Sequence, residues 1–204
     1  MLSRRLAAVQ EQIRDALDEL PPGPLRALSL CAGQGRDLIG ALAEHQRAPE
    51  VRCRLVELDP RNAATARDLA TAAGLDIEVV VGDASRTDHY AELAPADLVL
   101  VCGVFGNLTE PDVARTIGHC AQLCRTGGSV VWTRHRSEPD VIPGICDWFD
   151  AAGFELRWLS DPSTGYGVGR HLHLKDPEPL PLGTSMFTFV GHERLNGGNR
   201  PWWA

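Results

Sequence analysis

The sequence predicts one α/β domain: a Rossmann-like, seven-stranded, mostly parallel sheet with helices on both faces and an antiparallel strand pair at its C-terminal end. Three observations predict it. Between residues 25 and 153 short apolar runs alternate with amphipathic helical stretches, the pattern of a parallel sheet joined by crossover helices. After Gly153 two apolar runs follow with no helical stretch between them, so they pair antiparallel. A chain of 204 residues, 44% hydrophobic and 23% charged, is long and apolar enough to bury one continuous core.

Residues 1–24 read as an N-terminal helix and linker. Leu2, Leu6, Val9, Ile13, Leu17 and Leu20 recur at steps of three and four, which makes one apolar stripe, and Pro21-Pro22-Gly23-Pro24 stops the helix. The core, 25–190, opens with a strand at 25–31 and a helix at 36–46. A strand at 51–58 precedes a helix at 60–73, opened by Pro60 and closed by Gly74. Then come a strand at 76–81, a short helix near 87–93, a strand at 97–102 and a helix from Thr109 to about 124. Gly127-Gly128 ends that unit before a strand at 129–134 and a helix at 139–151. FELRWL (154–159) and TSMFTFV (184–190) form the antiparallel pair, with an irregular Gly/Pro-rich stretch between them. Residues 191–204 are a polar tail ending in Trp202-Trp203-Ala204.

Composition narrows the function. No run approaches the ~18 apolar residues of a membrane span, and the first residues mix Arg, Glu, Gln and Asp through the apolar positions, unlike a signal peptide. A cytoplasmic protein without a membrane partner is expected. The net charge is −7 and no basic block exceeds three residues, which argues against a nucleic-acid partner. Cys120 and Cys124 lack the third cysteine of an iron–sulfur site and read, like Cys53, as core thiols. His171, His173 and His192 have no Cys or carboxylate at a ligand spacing beside them, so no metal is expected.

Ligands of open α/β sheets bind beyond the carboxyl ends of the strands. The first such end is CAGQG (31–35), where small residues let a ligand approach the backbone and a helix N-terminus offers N–H groups. Alone, a G-x-G of this kind is weak. The second end carries Glu57, 22 residues after Gly35, a spacing that suits both hydroxyls of a ribose. At the third, Asp83 can accept from an adenine amino group while the Ala84 N–H donates to the ring. Each feature has an ordinary alternative in a solvated acid or a turn cap; together, on successive strands, they point to a nucleoside. A dinucleotide fits less well, because its third glycine falls at Leu38.

Over roughly residues 20–190 the chain resembles the class I S-adenosylmethionine-dependent methyltransferases. ALSLCAGQGRD, VELDP and VVGDAS resemble the family's first three motifs. DLVLVCGVFGNLTEPDV resembles its fourth strand and loop, and LCRTGGSVVWTRH the helix–Gly-Gly–strand that follows. The resemblance implies S-adenosylmethionine as cofactor. It places Cys31, Ala32, Gly33 and Gly35 against the methionine arm, Glu57 on the ribose, Leu58 on the adenine face, Asp83 and Ala84 at the adenine edge, and Cys102 and Gly103 beneath the sulfonium. Where the family often has an acidic residue this chain has Ser29, which can reach the amino group through water, and Cys31 stands where a glycine is common.

The methyl group then points toward the fourth and fifth strands, where a small-molecule acceptor is expected. His135 is the expected general base, Asn107 is expected to orient the acceptor, and Arg134 and Arg136 to hold a carboxylate or phosphate on it. Arg136, Tyr166, Arg170 and His171 are the expected substrate contacts, the last three from a 161–175 segment lining the mouth. Such a pocket is locally cationic and suits a small anionic or hydroxylated acceptor. The alternative is a non-catalytic protein on the same fold that binds the cofactor or a partner.

Overall fold

The computed structural model describes residues 2–190. The tail, with His192 and Trp202-Trp203, lies outside the described residues. Seven strands form one sheet: β1 (Leu25–Leu30), β2 (Val51–Glu57), β3 (Ile77–Val81), β4 (Ala96–Val101), β5 (Cys124–His135), β6 (Phe154–Leu159) and β7 (Tyr166–His173), in the order β3-β2-β1-β4-β5-β7-β6. The first five are mutually parallel, and β7 runs antiparallel to both β5 and β6. Strand order reverses between β1 and β4, so a crevice opens at the carboxyl ends of those two strands.

Side-chain alternation splits the core into two layers. On one face α1 (Leu2–Glu19), α2 (Arg36–Leu42) and α3 (Pro60–Ala72) cover Ala27, Leu55, Leu98, Leu100, Val131 and Val168. On the other, α4 (Glu110–Leu123) and α5 (Ile142–Ala151) cover Leu28, Leu30, Val99, Val101, Val130 and Trp132. Local chemistry starts the helices where the sequence suggests. Asp59 caps α3 by accepting from the Arg61 N–H, with Pro60 in the first turn, and Thr109 caps α4 by accepting from the Asp112 N–H. The last carbonyls of α1 are satisfied by Arg47, whose guanidinium donates to Leu17 O at 2.6 Å and Leu20 O at 2.8 Å. Among the described residues no helix is long and apolar enough to cross a membrane.

Three expectations are corrected. The partner of β6 is β7, from the glycine-rich stretch read as irregular, and not residues 184–190. β7 inserts between β5 and β6 because its glycines leave room. A Cβ on Gly167 would stand 2.2 Å from Ile142 of α5, and one on Gly169 2.4 Å from the Trp132 ring. Residues 184–190 instead cross the α4–α5 face. Met186 N donates to Ser85 O at 2.9 Å, Val190 N to Asn107 O at 3.0 Å, and Met186 and Phe187 are buried. They cover apolar surface there because the link between β3 and β4 holds one short 3-10 turn (Thr87–Tyr90) in place of the expected helix. Finally, Gly127-Gly128 lies inside β5, where the pairing with β4 shifts register. A Cβ on Gly128 would meet the Asp97 carbonyl at 2.9 Å.

Two buried polar clusters hold β7. Arg170, 5% exposed, forks onto the Glu19 carboxylate at 2.8 Å through both terminal nitrogens and donates from Nε to Gln12 at 3.1 Å, which ties β7 to α1. On the opposite face His171 stacks on Phe149, ring centroids 4.3 Å apart, and accepts from the Trp132 indole N–H at Nδ1, 3.1 Å away. Indole only donates, so the ring proton sits on Nε2, which is buried without a partner among the described residues.

Gly169→Ala is expected to lower stability by about 1–3 kcal/mol, because the methyl group overlaps the Trp132 ring; urea denaturation checks it. Burial pushes the His171 imidazole down to about 4 from an ordinary 6.5. The unfolded chain therefore binds the proton first, and stability is lost as pH falls from 6.5 toward 4, by about 3 kcal/mol in all. The urea midpoint of His171→Phe should fall less over that interval than that of the parent.

Candidate functional site

The turn after β1 is built on left-handed backbone. Cys31 has φ 51°, Gly33 φ 56° and Gly35 φ 67°. For Cys31 this conformation costs about 1 kcal/mol, strain held beside the site. Gly35 is required by contact, since a Cβ there would meet Leu55 at 2.6 Å, whereas one on Gly33 meets nothing within 4 Å. Gly33 thus presents bare backbone to the crevice. Ala32 donates its N–H to Val56 O at 3.0 Å and holds the turn against β2. The Cys31 thiol is pushed up to about 12, chiefly by burial and then by the Glu57 and Asp83 carboxylates, so it stays neutral.

Glu57 closes the last turn of β2 onto this loop. Oε2 accepts from the Gly33 N–H at 2.8 Å and Oε1 from the Asp59 N–H at 2.9 Å, with only 8% of the residue exposed. Each oxygen keeps a second lone pair, so the carboxylate can still accept two hydroxyls side by side. Next to it Leu58 is 67% exposed, an apolar surface left open among the described residues. At the end of β3 Asp83 Oδ1 accepts from the Ser85 N–H at 2.9 Å, and the Ala84 carbonyl accepts from the Tyr90 hydroxyl at 2.7 Å. This anchors a turn whose Gly82 lies under the His89 ring.

Beyond β4, Gly103 (φ 76°) is also open backbone. Its N–H donates to Thr133 Oγ1 at 2.8 Å, which joins the loop to β5, and its carbonyl accepts from the Asn107 amide at 3.0 Å. Asn107 thereby closes its own turn. Burial raises both the Cys102 thiol and the Asp37 carboxyl, which face each other at this end. Bare backbone at Gly33 and Gly103, the unused Glu57 lone pairs and the exposed Leu58 make a cradle that fits a nucleoside carrying an amino-acid arm.

At the end of β5, His135 shares its face with Thr133 and Val131, the α1–α2 face, as does Cys102. Its ring lies against Gly106, with Cδ2 3.4 Å from where a Cβ would stand, and its Nδ1 is 2.8 Å from Ser137 Oγ. Arg134 reaches Gly106 from the other face and donates to Phe105 O at 3.0 Å. Arg136 is ion-paired with Asp140. Asn107, Arg134 and His135 are thus brought together around one short loop, and no contact of Arg136 with that loop is seen among the described residues.

Other expected contacts are not brought there. Arg170 and His171 pair with Val131 and Val130 in the middle of the sheet, on opposite faces; both are buried and spent on protein partners, Glu19 and Trp132. They line no mouth. The error follows from reading a β-strand as a loop. Tyr166 does pair with His135 at the correct end, but it is 8% exposed and packs with the α1 layer. Ser29, 1% exposed, is sealed within β1 and touches no surface. Sequence reasoning missed Thr133, Asp37 and His89. Only Asp37 left a signal, as an acid in the first turn of the helix after the glycine loop.

Against known proteins, a family model described as a methyltransferase domain matches residues 27–128, half of the chain. A search of the curated proteins found no match. Among solved structures, a Burkholderia thailandensis 1,6-didemethyltoxoflavin-N1-methyltransferase, with 1,6-didemethyltoxoflavin and S-adenosylhomocysteine bound, superposes with a TM-score of 0.64 at 19% identity. The match covers 83% of this chain and 78% of that one. An O-methyltransferase family protein from the same organism gives 0.62 at 17% identity, over 82% of this chain and 57% of that one, so this chain spans little more than half its length. The [4+2]-cyclase SpnF gives 0.59 at 14% identity, covering 80% and 81%. These likenesses establish the fold, and the domain match establishes the family: the chain belongs to the class I S-adenosylmethionine-dependent methyltransferases.

Proposed function

We propose that this chain transfers a methyl group from S-adenosylmethionine to a small-molecule acceptor held over the carboxyl ends of β4 and β5. The observation that carries the reading is Glu57. Its carboxylate is buried, fixed by two backbone N–H groups and still able to accept two hydroxyls beside the bare backbone of Gly33. When bound, the cofactor supplies an electrophilic methyl group on a sulfonium. Glu57 holds the ribose, Leu58 covers one adenine face, Asp83 and the Ala84 N–H read the adenine edge, and residues 31–35 with Cys102 and Gly103 flank the methionine arm. The neutral, buried Cys102 thiol does not compete as a nucleophile.

The remaining work is positioning. The acceptor atom has to approach the methyl carbon to ~3–3.5 Å, in line with the leaving sulfur. The loop after β4, tied down by Thr133 and Asn107, fixes one wall of that approach, and the end of β5 supplies the polar groups. An acceptor oxygen or nitrogen that carries a proton loses it to the His135 imidazole, histidine being the residue type suited to general base work at physiological pH. A small molecule suits the site better than a nucleic acid, because the chain carries a net charge of −7 and has no extended basic block.

Calorimetry should detect binding of S-adenosylhomocysteine and far weaker binding of NAD or ATP; if neither sulfur cofactor binds, the reading fails. Glu57→Ala should weaken that binding by about 1.5–3 kcal/mol, the range for hydrogen bonds to a charged group. It should also lower stability, by about 1–2 kcal/mol, because the Gly33 and Asp59 N–H groups lose their acceptor. His135→Ala should cut methyl transfer about 10²-fold or more while leaving the cofactor dissociation constant within about twofold. Production of S-adenosylhomocysteine with an acceptor panel measures this, and an unchanged rate removes His135 from the chemistry.

A further inference from the structure

The amino-acid arm of the cofactor is a zwitterion, and its ammonium group needs an acceptor. The residues that flank the arm carry no charge: Cys31, Ala32, Gly33, Gln34 and Gly35 on one side, Cys102 and Gly103 on the other. Burial keeps both thiols neutral. Ser29 is sealed within β1. The acid that stands where the two loops meet is Asp37. β1 and β4 pair in parallel, with Ser29 beside Leu100, so the loops that follow them leave the sheet side by side. Asp37 lies in the first turn of α2, two residues past Gly35, and its carboxylate accepts from the Cys102 thiol across the gap between those loops. Its Oδ1 also accepts from the Leu38 N–H at 2.8 Å. Neutral donors of this kind use only part of what a carboxylate can accept. The residue is partly exposed, so a ligand group can reach it. Desolvation raises the carboxyl, the neutral donors offset that only in part, and no cation is among the groups that act on it. Arg5 of α1 does act on Cys102, but among the described residues it makes no ion pair with Asp37.

We infer that Asp37 is the counter-anion of the cofactor's ammonium group, held between the turn after β1 and the loop after β4. The inference rests on the methyl-transfer reading and adds a second charged anchor to its hold on the cofactor. Glu57 fixes the Gly33 N–H, and four residues further along the same turn stands Asp37, so both acids are carried by one short segment. The bare backbone of Gly33 and Gly103 leaves room for the arm on either side. The bonds from Leu38 and Cys102 fix the carboxylate before any ligand arrives, which lowers the ordering cost of binding. An ammonium group supplies the one thing this acid lacks, a compensating charge, in a partly desolvated place where such a pair is stronger than at an open surface. Asp37 thereby selects for a nucleoside that carries the complete amino-acid arm.

The test is calorimetric titration of the full chain with S-adenosylhomocysteine and with its deamino analogue, the same thioether with hydrogen in place of the amino group. The parent should bind S-adenosylhomocysteine about tenfold or more tighter than the analogue, the scale of one hydrogen bond to a charged group. Asp37→Asn keeps the shape and the acceptor for Leu38 but removes the charge. It should weaken S-adenosylhomocysteine about tenfold or more and leave the analogue within about threefold, so that the preference disappears. Retained binding of the analogue shows that the variant is folded. Asp37→Glu, which restores the charge on a longer arm, should recover a preference of at least about threefold. Equal affinities in the parent, equal weakening of both ligands in Asp37→Asn, or a preference unchanged in that variant would each overturn the assignment and leave the cofactor reading in place. If neither ligand binds the parent, it is the methyl-transfer reading that falls.

Discussion

A carboxylate taken out of water must be given donors, and in this chain the donors are backbone. Glu57 sits at the end of a central strand, nearly buried, and accepts from Gly33 on one side and Asp59 on the other. That requirement shapes both loops at once. The turn after β1 has to present an N–H to Glu57, which it does through alternate left-handed residues at 31, 33 and 35, and the chain after β2 has to bring Asp59 back before Asp59 can cap α3. The same two bonds leave one lone pair on each oxygen facing the crevice. The site is therefore partly made before any ligand arrives, which lowers the ordering cost of binding.

The far edge of the sheet shows a different economy. β7 carries an arginine and two histidines into the interior, where each needs a partner. Arg170 finds Glu19 and Gln12, His171 finds the Trp132 indole, and His173 Nδ1 lies 2.8 Å from the Cys124 carbonyl. These bonds place the strand. Because successive side chains of a strand point to opposite faces, the polar groups of β7 are divided between them, so α1 on one side and the aromatic cluster of Trp132, Phe149 and Phe154 on the other each take a share. Residues 184–190 then cover the part of the α4–α5 face that the short β3–β4 link leaves open.

Between these two regions lies the loop after β4, where the proposed cofactor and acceptor sides meet. It is braced from β5 by Thr133, within itself by Asn107 and from beneath by Arg134. Three polar side chains thus hold one turn, and the two that come from β5 immediately precede His135. Rigidity here matters, since an alignment error of about 1 Å at the methyl carbon is costly to transfer.

The turns and acids of the proposed cofactor half were legible in the sequence as strand-end features because they depend on local geometry. Small residues after an apolar strand, an acid at the next strand end and a Gly-Asp turn at the third lie within a few residues of elements whose periodicity is plain. The parallel core, β1 to β5 with α1 to α5, was legible for the same reason. What only the tertiary structure decided is long-range. Gly167 and Gly169 read as a loop until Ile142 and Trp132 are seen packed on them, and Arg170 and His171 read as ligands until their partners, Glu19 and Trp132, arrive from distant segments. Thr133 gave no sign at all, because a threonine inside a strand looks alike whether or not a neighbouring loop donates to it. Periodicity records which face of an element is apolar; it does not record which distant polar group satisfies a buried one, and that pairing exists only once the chain has closed.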